Sequence, residues 1–210
     1  MNYINQLNNK YNIILASSSP RRRNLLASIG LLFEVVIPNI DEKKVCSFAL
    51  PCNYCQFLSL AKAYNVYQNI LHSNRTKPQI IISADTIVVL ENKILNKPKD
   101  SNEAISFLKR LSNNEHKVFT GVSVLNSDTG KLNCRHAVTD VLFRKLSESE
   151  ITDYVSTGTP MDKAGGYGIQ DDYGCLFVKK INGCYNNVVG LPLQLLYKMI
   201  LNNSIIKDLK

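Results

Sequence analysis

Asp85 stands inside an otherwise apolar run, with Ile80-Ile81-Ile82 before it and Ile87-Val88-Val89-Leu90 after it. A carboxylate in such surroundings is costly unless it is paired, binds a cation or faces an opening. It is the first candidate for chemistry. Glu42, beside Asp41 after an apolar stretch, is a candidate to share a divalent ion with it, although an acidic pair in a loop is often only solvated. The segment Ser17-Ser18-Ser19-Pro20-Arg21-Arg22-Arg23 adds hydroxyls and guanidiniums at a turn from strand into helix. Free backbone N–H groups and the positive helix end lie there too, which suits a polyphosphate. Cations at that end oppose the helix dipole, so helix stability gives no motive for them. Lys62, between Ala61 and Ala63, and Lys97, in Leu95-Asn96-Lys97-Pro98, would add the positive charge a triphosphate needs; singly, each reads as a surface lysine. Finally, Met161-Asp162-Lys163-Ala164-Gly165-Gly166-Tyr167-Gly168-Ile169-Gln170 is dense in glycine, which lets a backbone approach a ligand closely. Gln170 there carries both a donor and an acceptor for a base edge.

Several familiar chemistries are absent. There is no GxxxxGK[ST], GxGxxG, HExxH or GxSxG in the chain, so kinase, dinucleotide, zinc-peptidase and α/β-hydrolase readings have no foothold. His72, His116 and His136 are far apart, without metal-ligand spacing, and read as surface or strand histidines. Cys52-x-x-Cys55 is a lone pair at a helix start, and core packing explains it better than zinc or redox chemistry.

The elements that must position these residues alternate between strand and helix, the signature of a layered α/β fold. A strand over Asn12 to Ala16 leads to a helix capped by Ser19, started by Pro20 and stopped by Gly30, with Leu25, Leu26 and Ile29 on one face. A strand over Phe33 to Ile37 precedes a helix from about Asn53 to Leu71, and Ile80 to Leu90 is extended. Asp100 with Glu103 and Ser147 with Glu150 read as capping boxes for two further helices, the second closed by Gly158. Between them lies a long hairpin, His116 to Asn126 and Leu132 to Phe143, turned at Ser127-Asp128-Thr129-Gly130. An apolar strand around Leu176 to Ile181, an Asn182-Gly183 turn and a helix beginning near Pro192 complete the chain.

With 210 residues, 45% hydrophobic and 20% charged, the chain can bury a core as one α/β domain or two small lobes, which excludes disordered and low-complexity classes. The net charge of +8 favours an anionic partner. Apart from Arg21-Arg22-Arg23 the basic residues are scattered, which tilts the expectation towards a local anion site and away from nucleic acid. No run approaches the ~18 apolar residues that span a bilayer, and the opening MNYINQLNNKYN has no apolar leader core. A cytoplasmic protein without membrane partners is expected, its six cysteines (Cys46, Cys52, Cys55, Cys134, Cys175, Cys184) reduced and mostly core thiols.

The segments Leu15 to Arg22, Ser83-Ala84-Asp85-Thr86, Lys97-Pro98, Phe119-Thr120-Gly121-Val122, Met161 to Gln170 and Asn187 to Leu193 resemble, in order, the Maf family of nucleoside triphosphate pyrophosphatases, historically called septum-formation inhibitors. The Tyr167-Gly168-Ile169-Gln170 segment is similar to the branch acting on dTTP and UTP, not the one preferring 7-methyl-GTP. The resemblance implies a single domain over residues 1–210: an α/β fold with a central mixed twisted sheet, flanking helices and two lobes around a deep cleft, as in inosine triphosphate pyrophosphatases. It also implies a homodimer, a nucleoside triphosphate substrate and a divalent cation, Mg²⁺ or Mn²⁺. Carried over by motif, Asp85 is implied as general base or metal-linked carboxylate with Glu42 as its partner. Ser17, Arg21, Lys62 and Lys97 are implied as phosphate holders, joined by Arg22 from the same turn, and Arg21, Thr86 and Gln170 as the residues that set base choice. The chain departs from the family pattern at Ser59, Ser83 and Asp171, where alanine, glycine and glycine are usual.

The expected reaction is in-line attack of water on the α-phosphorus with pyrophosphate leaving, driven by positioning and charge neutralisation. The donor and acceptor of Gln170 match N3–H and O4 of thymine or uracil, whereas cytosine presents the reverse. Two other readings stand beside it: a non-catalytic nucleotide or nucleic-acid binding regulator linked to cell division, and a pyrophosphatase whose proper substrates are modified pyrimidine nucleotides.

Overall fold

The computed structural model describes residues 3–42, 50–70, 77–171 and 173–201. Cys46, His72 and the expected helix end at Leu71 lie outside them. The chain divides into two units: Met1–Asp85 with Thr120–His136 and Gly190–Lys210, and Thr86–Phe119 with Ala137–Val189.

In the first unit α1 (Tyr3–Lys10) leads to β1 (Asn12–Ala16), which pairs in parallel with β2 (Phe33–Val35) and β3 (Gln79–Leu90). Strand period assigns the two faces. Ile13, Leu15, Ile80, Ile82 and Ala84 enter a core with Leu26 of α2 (Pro20–Ser28) and with Leu196 and Met199 of α7 (Leu193–Leu201). The alternate residues Ile14, Ala16 and Ile81 enter a second cluster with Ala63, Val66 and Ile70 of α3 (Pro51–Ile70). Asp85, two steps of two beyond Ile81, therefore shares the face turned to α3. α2 forms as expected: Ser19 caps it by accepting from the Arg22 amide, Pro20 occupies its first turn, and Gly30 follows at φ +77°.

The sheet holds seven strands among the described residues, ordered β2-β1-β3-β5-β6-β7, with β4 (Lys93–Leu95) antiparallel on β3. β5 (Glu115–Asn126) and β6 (Leu132–Phe143) form the expected hairpin, and β7 (Val178–Asn182) runs antiparallel to β6. In the second unit α4 (Ser101–Leu111), α5 (Glu148–Ser156) and α6 (Tyr185–Val189) accompany an aromatic core. Phe143 packs edge-on to His116, Tyr167 and Phe177, and Tyr154 packs on Phe177.

Some expectations are corrected. β2 stops at Val35, not Ile37, and residues 174–177 form a 3₁₀ turn, so β7 starts later than Leu176 and Phe177 plugs the aromatic core. The Ser147–Glu150 capping box is complete, but Glu103 accepts from the Lys99 amide and leaves Asp100 to cap α4 alone. Core thiols are not the rule: of the described cysteines only Cys55 is buried, while Cys175 is exposed. Burial pushes the Cys55 thiol up to about 12, with the nearby Asp85 charge adding to the shift.

Candidate active site

The α3 face opposite β3 is polar where the strand is polar. Ser83 Oγ donates to the Ser59 carbonyl at 2.6 Å, and the Ser59 hydroxyl lies 2.8 Å from Ser123 Oγ of β5. One helical step on, and two strand residues on, comes the next pair: Lys62 Nζ stands 2.5 Å from Asp85 Oδ1. Glu42 Oε1 completes the group, 2.8 Å from the same ammonium. The Lys62 and Asp85 side chains are 10% and 9% exposed, whereas that of Glu42 is 45% exposed. The inner pair is thus buried, and Glu42 meets it from the solvent side. Formally the trio keeps one net negative charge.

Close packing sets how near α3 can come. A Cβ on Gly121 of β5 would lie 2.3 Å from the Cys55 carbonyl oxygen, so only glycine lets the start of α3 rest there. Tyr54 lies two helical turns before Lys62 on the same side of α3. Burial, then the charges of Asp85 and Glu42, raises its hydroxyl above the ordinary range. Sequence reasoning overlooked Tyr54, although its spacing of eight from Lys62 was visible.

The turn from β1 into α2 supplies the polyphosphate candidates. Ser17 is 3% exposed, and its Oγ accepts from the Ser19 amide at 3.2 Å and from Arg22 Nη1 at 3.3 Å. Arg22 Nε also donates to the Gly190 carbonyl at 2.8 Å. This guanidinium therefore ties the α2 start to the segment leading into α7, a structural motive that the sequence did not reveal. Burial lowers Arg22 from the usual arginine range while the Asp85 and Glu42 charges oppose the shift, so the carboxylates and this turn share one electrostatic field. Arg21 lies beside it, partly exposed.

The other candidates belong to the second unit. Thr86 follows Asp85 on β3, and Lys97 is exposed after β4. Gln170 is exposed and lines a pocket of about 310 Å³ with Tyr154, Thr157, Thr159, Asp171 and Tyr173. The glycines before it approach the protein's own chain: a Cβ on Gly165 would sit 3.0 Å from Val88, and one on Gly168 would sit 2.1 Å from Asp171 Oδ2. His116 is a strand histidine, buried, with Nε2 2.7 Å from the Tyr167 hydroxyl; His136 is exposed beside Gln56.

Among the described residues no three His, Cys, Asp or Glu side chains gather as a metal site. The Asp85 and Glu42 carboxylates both meet the Lys62 ammonium, and hard carboxylate oxygens of this kind could hold a divalent cation when substrate phosphates and water supply the remaining ligands.

Fold and site together define an α/β protein whose mixed sheet carries a lysine–dicarboxylate cluster beside a serine- and arginine-rich strand-to-helix turn. The chain belongs to the Maf family, since the family model described as Maf-like protein matches residues 12–203. It is 42% identical over 194 residues to the dTTP/UTP pyrophosphatase of Clostridium botulinum (strain Kyoto / Type A2), covering 92% of this chain and 98% of that protein. It is likewise 42% identical over 198 residues to the dTTP/UTP pyrophosphatase of Ruminiclostridium cellulolyticum, covering 93% and 99%. Among solved structures, the Staphylococcus aureus Ham1 protein is similar at a TM-score of 0.42 and 14% identity over 63% of this chain and 71% of that one, too distant to carry an argument. No helix among the described residues is long and apolar enough to cross a membrane.

Proposed function

We propose that this chain is a divalent-cation-dependent nucleoside triphosphate pyrophosphatase that converts dTTP and UTP to the monophosphate and pyrophosphate. The observation that carries the reading is the convergence of Asp85 and Glu42 on the buried Lys62 ammonium. The names of the relatives support catalysis over a non-catalytic regulator.

In this mechanism Asp85, fixed by Lys62 from α3, takes the proton of the water that attacks the α-phosphorus. The bond from the α-phosphorus to the water oxygen forms as its bond to the oxygen bridging to the β-phosphorus breaks, and pyrophosphate leaves with that electron pair. Lys62 holds both carboxylates in place, so little reorganisation is needed as charge develops. Asp85 and Glu42 would hold the Mg²⁺ or Mn²⁺, which supplies charge neutralisation on the phosphate oxygens. The Ser17 hydroxyl and the Arg21 and Arg22 guanidiniums orient the phosphates, with backbone amides of the α2 start beside them. Lys97 as a further phosphate contact, and Arg21, Thr86 and Gln170 as the residues that set base choice, rest on the family resemblance.

The decisive experiment is incubation with a panel of triphosphates and Mg²⁺, with products read by phosphorus NMR. Monophosphate and pyrophosphate from dTTP and UTP are expected. Orthophosphate with a diphosphate would overturn α-phosphorus attack.

A further inference from the structure

Lys163 is a buried lysine outside the carboxylate cluster. Its side chain is 8% exposed, and Nζ donates to the Thr159 carbonyl at 2.5 Å and to Asp162 Oδ1 at 2.6 Å, while Asp171 Oδ2 lies 3.1 Å away. Removing such an ammonium from water is unfavourable unless its partners are fixed. Those partners lie on both sides of the glycine-rich segment, so the lysine links its start to its end.

Asp171 in turn closes a four-residue turn. Its amide donates to the Gly168 carbonyl at 3.1 Å, and its carboxylate lies so close over Gly168 that a Cβ there would sit 2.1 Å from Oδ2. The Gly168 amide donates to the Tyr154 hydroxyl at 3.2 Å, and the Asp171 carbonyl accepts from Cys175 at 3.1 Å. Between these anchored ends Ile169 is buried and Gln170 is exposed to the pocket. These bonds fix the backbone on both sides of Gln170, and with it the point from which its side chain enters the pocket.

We propose that the Lys163–Asp171 ion pair is a positioning clamp that aims Gln170 at the pyrimidine edge, making Asp171 a determinant of base selectivity that acts through Gln170. The proposal rests on the reading of Gln170 as base reader in a dTTP/UTP pyrophosphatase. Asp171→Asn keeps the side-chain volume but removes the charge that Lys163 faces. The turn then loosens and the amide samples orientations that no longer separate uracil from cytosine. The Asp85, Glu42 and Lys62 group is untouched, so the loss falls on KM and selectivity, not on turnover at saturation.

The test compares kcat and KM for UTP and CTP, with Mg²⁺, in the full chain and in Asp171→Asn, Gln170→Ala and the double variant. The expected result is a fall of about tenfold in the UTP-to-CTP ratio of kcat/KM for Asp171→Asn, with kcat on UTP within about twofold. The double variant should discriminate no worse than Gln170→Ala alone, because Asp171 acts through Gln170. Thermal unfolding checks that each variant is folded, and Asp171→Ser serves as a second uncharged variant if the first is not. An unchanged ratio in a folded variant overturns the clamp, as do losses that multiply in the double variant. A wild-type chain that releases no pyrophosphate from any triphosphate overturns the functional reading itself, and the clamp with it.

Discussion

The Ser83 hydroxyl donates to the Ser59 carbonyl across 2.6 Å, locking β3 to α3 one step before Asp85 meets Lys62. Both serines are fully buried. Strand period and helix period come into phase here: positions 83 and 85 share a strand face, and positions 59 and 62 share a helix face. The hydrogen bond therefore fixes the register in which the lysine finds its carboxylate.

The same closeness makes Gly121 sensitive. In Gly121→Ala the new methyl meets the Cys55 carbonyl, oxygen at 2.3 Å and carbon at 2.5 Å, and neither backbone can yield without separating α3 from β5. We expect a loss of about 1–3 kcal/mol in urea unfolding, with turnover falling because Lys62 moves with its helix. Unchanged stability would mean that the helix start can shift freely.

Asp85→Asn preserves shape and leaves Glu42 to pair with Lys62, but removes the proposed proton acceptor. Pyrophosphate release from UTP should fall by about 10²–10⁴-fold, the span a general base contributes, while the variant remains folded. A loss below tenfold in a folded variant would transfer the role of base elsewhere.

Much of this was legible in the chain because the signals were local. Ser19-Pro20 before an apolar helical face, Ser147 with Glu150, and the Ser127–Gly130 turn each name their own element, and each formed. β4 was not anticipated. It returns from β3 through Glu91 and Asn92, both at positive φ (49° and 61°), and a glutamate gives none of the Asn-Gly signal that marks such a turn. α1 was missed for a similar reason, being eight residues long with Leu7 as its only buried side chain. Within the candidate site Asp85 stood out by polarity and Lys62 by its apolar neighbours, but their pairing is a long-range fact. No local signal announces that a guanidinium at position 22 will meet a carbonyl at position 190.

Lys62→Met fills the helix position but leaves the Asp85 carboxylate buried without its ammonium. Breaking one partner of such a pair costs about 3–5 kcal/mol, and for a chain of this size that lowers Tm by about 6–20 °C. Adding Asp85→Leu should recover most of the stability and none of the activity, because two apolar groups need no counter-charge. Differential scanning calorimetry on the single and double variants reads both outcomes. Equal melting of wild type and Lys62→Met would show that water reaches Asp85 freely.

His116 supplies the pH dependence. Burial holds its imidazole down at about 4, against an ordinary value of 6.5, between Phe143 and Tyr167. The sign follows from proton counting. Between pH 4 and 6.5 the unfolded chain binds the proton and the folded one does not, so stability rises with pH through that window and is level above it. The shift corresponds to roughly 3 kcal/mol. Carboxylates titrate in the lower part of the window as well, so the measurement is a comparison: urea midpoints of wild type and His116→Gln at intervals from pH 4 to 7.5. The wild type should lose stability more steeply on acidification than the variant, and the two curves should run parallel above pH 7. Parallel curves throughout would place the imidazole in contact with water.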